Sequence, residues 1–319
     1  MIRRVLVLAA VFFLVALATS RVALVAHELV GHGLVAVALG ADLVGYKLFL
    51  FGGGWVTYRW PAGPPGEGVS LAVAMGGIAL EAVAGSVSLV VAVRCRGAVA
   101  RIASTAVATI LLLHAGFYLA AGTHHGFGDG RAAHDALGAW RPLLVVPLSI
   151  AVVAGGFWLA RRLAAEVASW VAGGTMARAG QIAAAALLAA AAHGALTYGE
   201  RVLTRDDTYA HIMEHEDVRL VARDVGRFAT QVRQVQGRAP TAEELAAAKA
   251  RFEAEHRVFP LAPLLGVLLG LSCLFGLWIA VRRDSAPPRD PAWRFARSPA
   301  LVCASAVLLV MVLQSLAPS

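Results

Sequence analysis

Long apolar segments are the feature that most restricts the fold of this chain. A transmembrane helix needs about 20 mostly apolar residues, and uninterrupted apolar runs favour helices over the alternating strands of a barrel. Eight such runs occur, approximately at residues 5–20, 22–41, 68–93, 102–121, 142–160, 179–197, 259–281 and 299–316. The sequence therefore predicts an all-α polytopic membrane protein with 7–8 transmembrane helices.

The charge distribution is that of a membrane protein rather than a nucleic-acid-binding protein. The formal net charge is +8, but residues 200–258 hold 10 basic and 11 acidic side chains. The basic excess therefore lies in the apolar portion, in the short loops 94–101, 161–162 and 282–297. Basic loops of this kind mark the cytoplasmic side of a membrane. We expect a multi-pass protein of the bacterial inner membrane, surrounded by lipid bilayer, with no nucleic acid as partner.

The first 41 residues leave the topology open. If the basic loops are inside, two separate spans at 5–20 and 22–41 require an outer N-terminus, whereas Arg3 and Arg4 favour an inner one. A single long helix removes this conflict and reduces the number of spans to seven. The start of the chain also resembles a secretory signal peptide, although apolar sequence resumes directly after Arg21. We expect a retained segment.

Three parts of the chain differ in composition. Residues 1–198 form a predicted membrane core with a β-hairpin at 44–60, because short β-prone runs flank three consecutive glycines there. Residues 199–258 form a predicted extramembrane helical insert, in which Thr241 and Glu244 have the spacing of a capping box. Residues 259–319 are predicted to add a C-terminal pair of transmembrane helices.

The second apolar run carries three ionisable side chains within the sequence HELVGH, namely His27, Glu28 and His32. A charged side chain at the centre of a span costs about 2.5–3.5 kcal/mol on insertion scales, so these groups need a compensating partner. A divalent metal is such a partner, because imidazoles are good zinc ligands and a neighbouring carboxylate can accept a proton from water. The pattern predicts a metal site.

The two histidines are five residues apart, one more than in the usual zinc motif. On a regular helix, positions i and i+5 diverge by about 140°. A π-type turn absorbs one residue, and Gly31 tolerates the altered backbone. We therefore predict a widened turn that puts His27 and His32 on one face. Pairing of Glu28 with His32, four residues apart, is the alternative.

Zinc needs a third protein ligand and an open position for water. The most attractive candidate is Asp129, because GFGDGR puts a carboxylate on a glycine-flanked turn between two spans. The alternatives at this position are Glu81, His114, His124, His125, His134 and Asp135.

These motifs resemble the site-2 protease family of intramembrane zinc metalloproteases. The resemblance rests on HELVGH in an early apolar helix, a glycine-rich hairpin, and GDGR before a later span, and it covers residues 20–160. It implies that His27, His32 and Asp129 bind zinc and that Glu28 is the catalytic base. The histidine spacing is one residue longer than the family's, and the family's Asn and Pro before Asp-Gly are absent. The spacing itself is similar to that of the dipeptidyl peptidase III family.

The sequence thus leads to two functional hypotheses. The first is an intramembrane zinc metalloprotease that cleaves a transmembrane protein, with the extended part of the substrate added to the edge of the hairpin at 46–60. The second is a non-proteolytic metal-binding membrane protein, either a divalent-metal transporter or a pseudoprotease.

Overall fold

The structure, a computed structural model, describes residues 2–283 and 293–317, so most of the basic loop 282–297 lies outside the described residues. Within them the chain forms helices and one β-hairpin. In chain order the elements are α1 (Ile2–Val25), a π-helix (Ala26–Leu34), α2 (Val35–Ala38), β1 (Asp42–Leu48), β2 (Gly54–Arg59), α3 (Glu67–Arg94), α4 (Ala98–His125), α5 (Gly130–Leu137), α6 (Pro142–Val167), α7 (Thr175–Thr204), α8 (Asp207–Ile212), α9 (Glu216–Gln236), α10 (Ala242–Glu255), α11 (Leu261–Arg283) and α12 (Trp293–Ser315).

The N-terminal segment is one continuous helix of 37 residues, Ile2–Ala38, rather than two spans. At 1.5 Å per residue it is about 55 Å long, well beyond the roughly 30 Å of a bilayer core. Arg21 lies near its middle but is only 3% exposed. Its guanidinium donates to the carbonyls of Phe49, Phe51 and Gly52 at 2.6, 3.2 and 2.8 Å. The arginine that separates the two apolar runs is therefore satisfied by a turn of the hairpin.

Long apolar helices dominate the described part of the chain and indicate a membrane-embedded protein. Six of them are long and apolar enough to cross a bilayer: Ile2–Ala38, Glu67–Arg94, Ala100–His125, Pro142–Trp170, Thr175–Thr204 and Leu261–Arg282. A shorter apolar helix covers Pro299–Ser315. An all-α polytopic protein is consistent with this arrangement, while the number of 7–8 spans stays a prediction.

The long helices pack in an order that brings distant parts of the chain together. Helix α3 packs on α4, α4 on α6 and α6 on α11, while α1 contacts both α7 and α12. Small residues allow the close approaches, as is usual between membrane helices. A Cβ on Gly276 would lie 2.2 Å from the Phe157 carbonyl oxygen, so α6 and α11 meet there almost backbone to backbone.

The hairpin is held from both sides of its turn. Strands β1 and β2 pair antiparallel, with Asp42 opposite Arg59 and Leu48 opposite Gly54. Opposite the Arg21 guanidinium, the Glu200 carboxylate of α7 accepts hydrogen bonds from the amides of residues 50–52 at 2.6–2.8 Å. The predicted hairpin is thus present, and it is anchored to both α1 and α7.

Helices α8, α9 and α10 follow α7, in the region predicted as a helical insert. Thr241 and Glu244 form the predicted capping box, in which each side chain bonds the backbone of the other. Helices α9 and α10 pack against each other, and His256 contacts Asp224 across that pair at 2.8 Å. The division of the chain into three domains stays a prediction.

Candidate metal centre

The predicted widened turn is confirmed. Residues Ala26–Leu34 form a π-helix, so that His27 and His32 face the same side, with ring centroids 4.8 Å apart. The role of Gly31 differs from the one expected. Its φ is not positive, but a Cβ at this position would lie 2.4 Å from the Cα of Gly77. Gly31 is therefore required for the close crossing of the π-helix over α3.

Asp129 completes a group of three converging side chains. His27 Nε2 lies 2.9 Å from Asp129 Oδ2, and His32 Nε2 lies 3.2 Å from Asp129 Oδ1. One ligand atom of each residue lies within 4.8 Å of the others, so the three side chains could hold a metal ion. Four tetrahedral ligands at 2.0–2.2 Å from zinc are about 3.4 Å apart, so a small opening of this group accommodates the ion.

The outer nitrogen of each ring has a specific acceptor. His32 Nδ1 donates to the carbonyl of Val73 at 2.7 Å, and His27 Nδ1 donates to Glu81 Oε1 at 3.0 Å. These bonds assign the Nδ1–H tautomer, which leaves a lone pair on each Nε2 pointing at the carboxylate of Asp129. Lone pairs that face a carboxylate require a cation between them. A bound metal, or a second proton on each ring, supplies it.

Glu81, an alternative third ligand in the sequence, is instead the partner that orients His27. Its carboxylate bridges His27 and His114, the latter at 2.8 Å, and the residue is buried. A carboxylate behind a ligating histidine fixes the ring and raises its basicity. The Val73 carbonyl orients His32 in the same way, and no pattern in the sequence predicted this contact.

Glu28 lies beside the three converging side chains without a hydrogen-bond partner among the described residues. It is 8% exposed and approaches Gly54 at the start of β2, where a Cβ would lie 3.1 Å from its Cγ. Glu28, His27, His32 and Asp129 all line one cavity of about 1510 Å³. The cavity continues between α1, α4 and α7. A buried carboxylate without a fixed partner is able to accept a proton.

Asp129 sits on a loop that only glycine can build, because Gly126 and Gly128 have φ of 66° and 52°. Burial by itself raises the pKa of the Asp129 carboxyl, but its contacts with the imidazoles of His27 and His32 outweigh burial and hold this pKa below its ordinary value. A lowered pKa favours the ionised form of the carboxyl, which is the form that binds a metal.

Of the histidine alternatives, His114 contacts Glu81, whereas His124, His125 and His134 lie elsewhere. His124 bonds the carbonyl of Phe259, and His125 stacks on His215. His134 contacts Glu216 and forms, with Asp135, a second group able to hold a cation. However, Nη1 of Arg141 lies 2.5 Å from His134 Nε2 in this second group, so the positive charge of the guanidinium would repel a cation there. The group around Asp129 is the stronger candidate.

Comparison of the chain with protein-family models, with curated proteins and with solved structures finds no match. The resemblance to site-2 proteases therefore depends on the motifs themselves.

Proposed function

We propose that this protein is an intramembrane zinc metalloprotease, with His27, His32 and Asp129 as ligands and Glu28 as catalytic base. The observation that carries the proposal is the convergence of two imidazole nitrogens and one carboxylate beside Glu28, which has no hydrogen-bond partner in the described part of the chain, all facing one cavity. Two histidines and one carboxylate are a known ligand set of catalytic zinc, which leaves one position open.

The residues present fit a zinc ion on the chemistry of their donor atoms. Both rings direct Nε2 inward because Glu81 and the Val73 carbonyl hold Nδ1 outward, and this orientation is what zinc-bound histidines require. When bound, zinc supplies Lewis acidity and makes water nucleophilic near neutral pH.

Glu28 has the position and freedom for proton transfer. In the proposed reaction it accepts a proton from the attacking water as the C–O bond forms at the scissile carbonyl. It then donates that proton to the amide nitrogen as the C–N bond breaks, which gives a free carboxylate and a free amine. Carboxylates in this role contribute about 10²- to 10⁴-fold in rate.

The hairpin offers one edge to a substrate. The edge of β1 faces α12, where Leu48 N donates to Gln314 Oε1 at 2.7 Å and Tyr46 Oη donates to the Leu313 carbonyl at 2.8 Å. Strand β2 has no backbone hydrogen bond to a described residue outside the hairpin, and its residues 54–56 and 58 line the cavity. We therefore assign the β2 edge as the place where an unwound segment of a transmembrane protein adds as a strand.

Transport of a divalent metal is the second candidate. It is favoured by the chain of contacts from His27 through Glu81 to His114, which joins three membrane-embedded helices beside the cavity. Ionisable residues on several spans that face one path are typical of transporters. In that case metal should move across vesicles in a Glu28→Gln variant as fast as in the wild type.

The test compares wild type with Glu28→Gln, and uses Glu243→Gln in the exposed first turn of α10 as matched control. We expect about one zinc per chain in all three purified proteins, because Glu28 is not a ligand. Mapping of new N-termini in membranes from expressing cells should show cleavage within spans for the wild type and the control but not for Glu28→Gln. Absence of bound zinc, or equal cleavage by Glu28→Gln, would refute the proposal.

A further inference from the structure

The loop that carries Asp129 is fastened from outside the membrane-spanning helices. Residues 206–219, here called the latch segment, run through α8 to the start of α9. The amide of Gly128 donates to the carbonyl of Ile212 at 2.9 Å. From the other end of the segment, Arg219 Nη2 donates to the carbonyl of Gly126 at 2.9 Å. The latch segment therefore bonds the backbone of the Asp129 loop at two points, Gly126 and Gly128.

Arg131, the first arginine after Asp129, makes the reciprocal contact. Its Nη2 donates to the carbonyls of His211, Ile212 and Glu214 at 3.1, 3.4 and 3.4 Å. These carbonyls lie at the end of α8 and just after it, and one guanidinium nitrogen is within hydrogen-bond distance of all three. The contact joins the start of α5 to the latch segment.

Side chains close the same junction. The ring of His215 stacks on Phe127 with centroids 4.8 Å apart, and Glu216 contacts His134. Space is tight here, since a Cβ on Gly126 would lie 3.0 Å from the Cβ of Glu216. The latch segment thus covers the whole turn that precedes Asp129.

Helix α4 holds the start of this turn but not its end. The amides of Gly126 and Phe127 bond the Gly122 carbonyl at 2.8 and 3.2 Å, whereas Asp129 N reaches Tyr118 Oη at 3.4 Å, a long contact. Gly126 and Gly128 have left-handed backbones and lose much conformational freedom when they are fixed. A loop of this composition needs external contacts to present a carboxylate in one position.

We propose that the latch segment positions Asp129 for metal binding, with Arg131 and Arg219 as the positioning residues. The inference rests on the proposed function, because it takes Asp129 as a metal ligand. It makes metal affinity depend on a part of the chain beyond α7, although all three ligands lie within residues 27–129.

The latch segment also contacts the hairpin. Asp206 accepts hydrogen bonds from Lys47 Nζ at 2.7 Å and from Trp55 Nε1 at 3.3 Å, so it touches both strands. The ring of Tyr209 packs on Phe49 at 5.2 Å. One segment therefore secures the third metal ligand and the proposed substrate edge together. Its release should therefore loosen both the Asp129 loop and the hairpin.

The experiment titrates Co²⁺, a spectroscopic substitute for zinc, into detergent-purified full-length protein, and measures amide hydrogen exchange of residues 126–130 without metal. The variants are Arg131→Met and Arg219→Met, which keep an unbranched apolar stem but remove the guanidinium. The matched control is Arg238→Met, because Arg238 lies in the turn between α9 and α10 and pairs with Glu244 at the start of α10. Arg219→Lys tests for rescue, and circular dichroism checks that each variant is folded.

We expect both Met variants to bind Co²⁺ about 10- to 100-fold more weakly, as for other residues that support ligands. Exchange of the Gly128 amide should rise about tenfold, since a bond from a charged donor is lost nearby. Arg238→Met should match the wild type, and Arg219→Lys should recover part of both effects. Unchanged exchange and affinity in both Met variants would overturn the proposal. Faster exchange in a chain that binds no Co²⁺ would overturn the proposed metal centre and the role of the latch segment in metal binding, although the latch segment would still hold the Asp129 loop.

Discussion

Gly77 faces the ring of His27 across the contact between α3 and the π-helix, and it gives the sharpest test of the proposed centre. A Cβ added there would lie 2.6 Å from His27 Cδ2 and Nε2 and 2.7 Å from Cε1. Non-bonded carbon atoms in van der Waals contact are about 3.5–4.0 Å apart, so Gly77→Ala forces the ring to move by about 1 Å. Glu81 restrains Nδ1, so the ring has little freedom to move without losing its partner.

The effect on metal binding should be large although the substitution is small. A displacement of about 1 Å at a reacting centre costs about 10²-fold, and we expect the affinity for Co²⁺ to fall by a similar factor. Helix propensity works in the opposite direction, because Ala is favoured over Gly by about 1 kcal/mol inside a helix. Loss of metal with retained helicity is therefore the expected combination.

The assay is a Co²⁺ titration followed by visible absorption, with circular dichroism on the same samples. Gly68→Ala is the matched control, since Gly68 lies on the same helix and an added Cβ meets nothing within 4 Å. Equal Co²⁺ affinity of Gly77→Ala and Gly68→Ala would show that His27 Nε2 is not a ligand. That result would refute the geometry on which the proposed function depends.

Three further predictions concern the supports of the site. Glu81→Gln should weaken Co²⁺ binding about 10- to 100-fold without removing it, as measured by the same titration, because the partner of His27 loses its charge; an unchanged affinity would contradict the orienting role. Arg21→Met should leave the carbonyls of the hairpin turn without their donor and raise amide exchange in residues 49–53, whereas unchanged exchange there would mean that Glu200 alone holds the turn. The start of α10 should fray in acid. Hydrogen bonds from Arg238 and the Thr241 amide lower the pKa of Glu244 to about 2. The stabilisation from the ionised Glu244 is therefore present above about pH 4.3 and is lost as the pH falls towards 2, which amide exchange in residues 241–246 would detect. Fraying at neutral pH would contradict this sign.

The sequence predicted those elements that depend only on residues close together in the chain. The capping box depends on two residues three apart, and the hairpin depends on a glycine turn between β-prone runs, so both are recognisable without tertiary information. The widened turn was predictable because two side chains five residues apart can share one helical face only if the backbone absorbs a residue.

Several features of the site depend on contacts that hydropathy and spacing do not record. Glu81 and Asp129 were both plausible third ligands, and only packing decided that Asp129 meets both rings while Glu81 lies behind one of them. The continuity of the first helix was also undecided, because Arg21 is satisfied by carbonyls 28–31 residues further along the chain.

The sequence by itself determined that the chain is helical and apolar and that His27, Glu28 and His32 share one widened turn. The physical reason is that these properties are local. A membrane helix must form the hydrogen bonds of its own backbone, and its hydropathy and side-chain spacing depend on consecutive residues. Tertiary structure decided which distant carboxylate completes the group, why Gly31 and Gly77 must lack side chains, and that residues 206–219 hold the Asp129 loop. Those outcomes depend on the approach of elements 40–100 residues apart, and no local pattern encodes that approach.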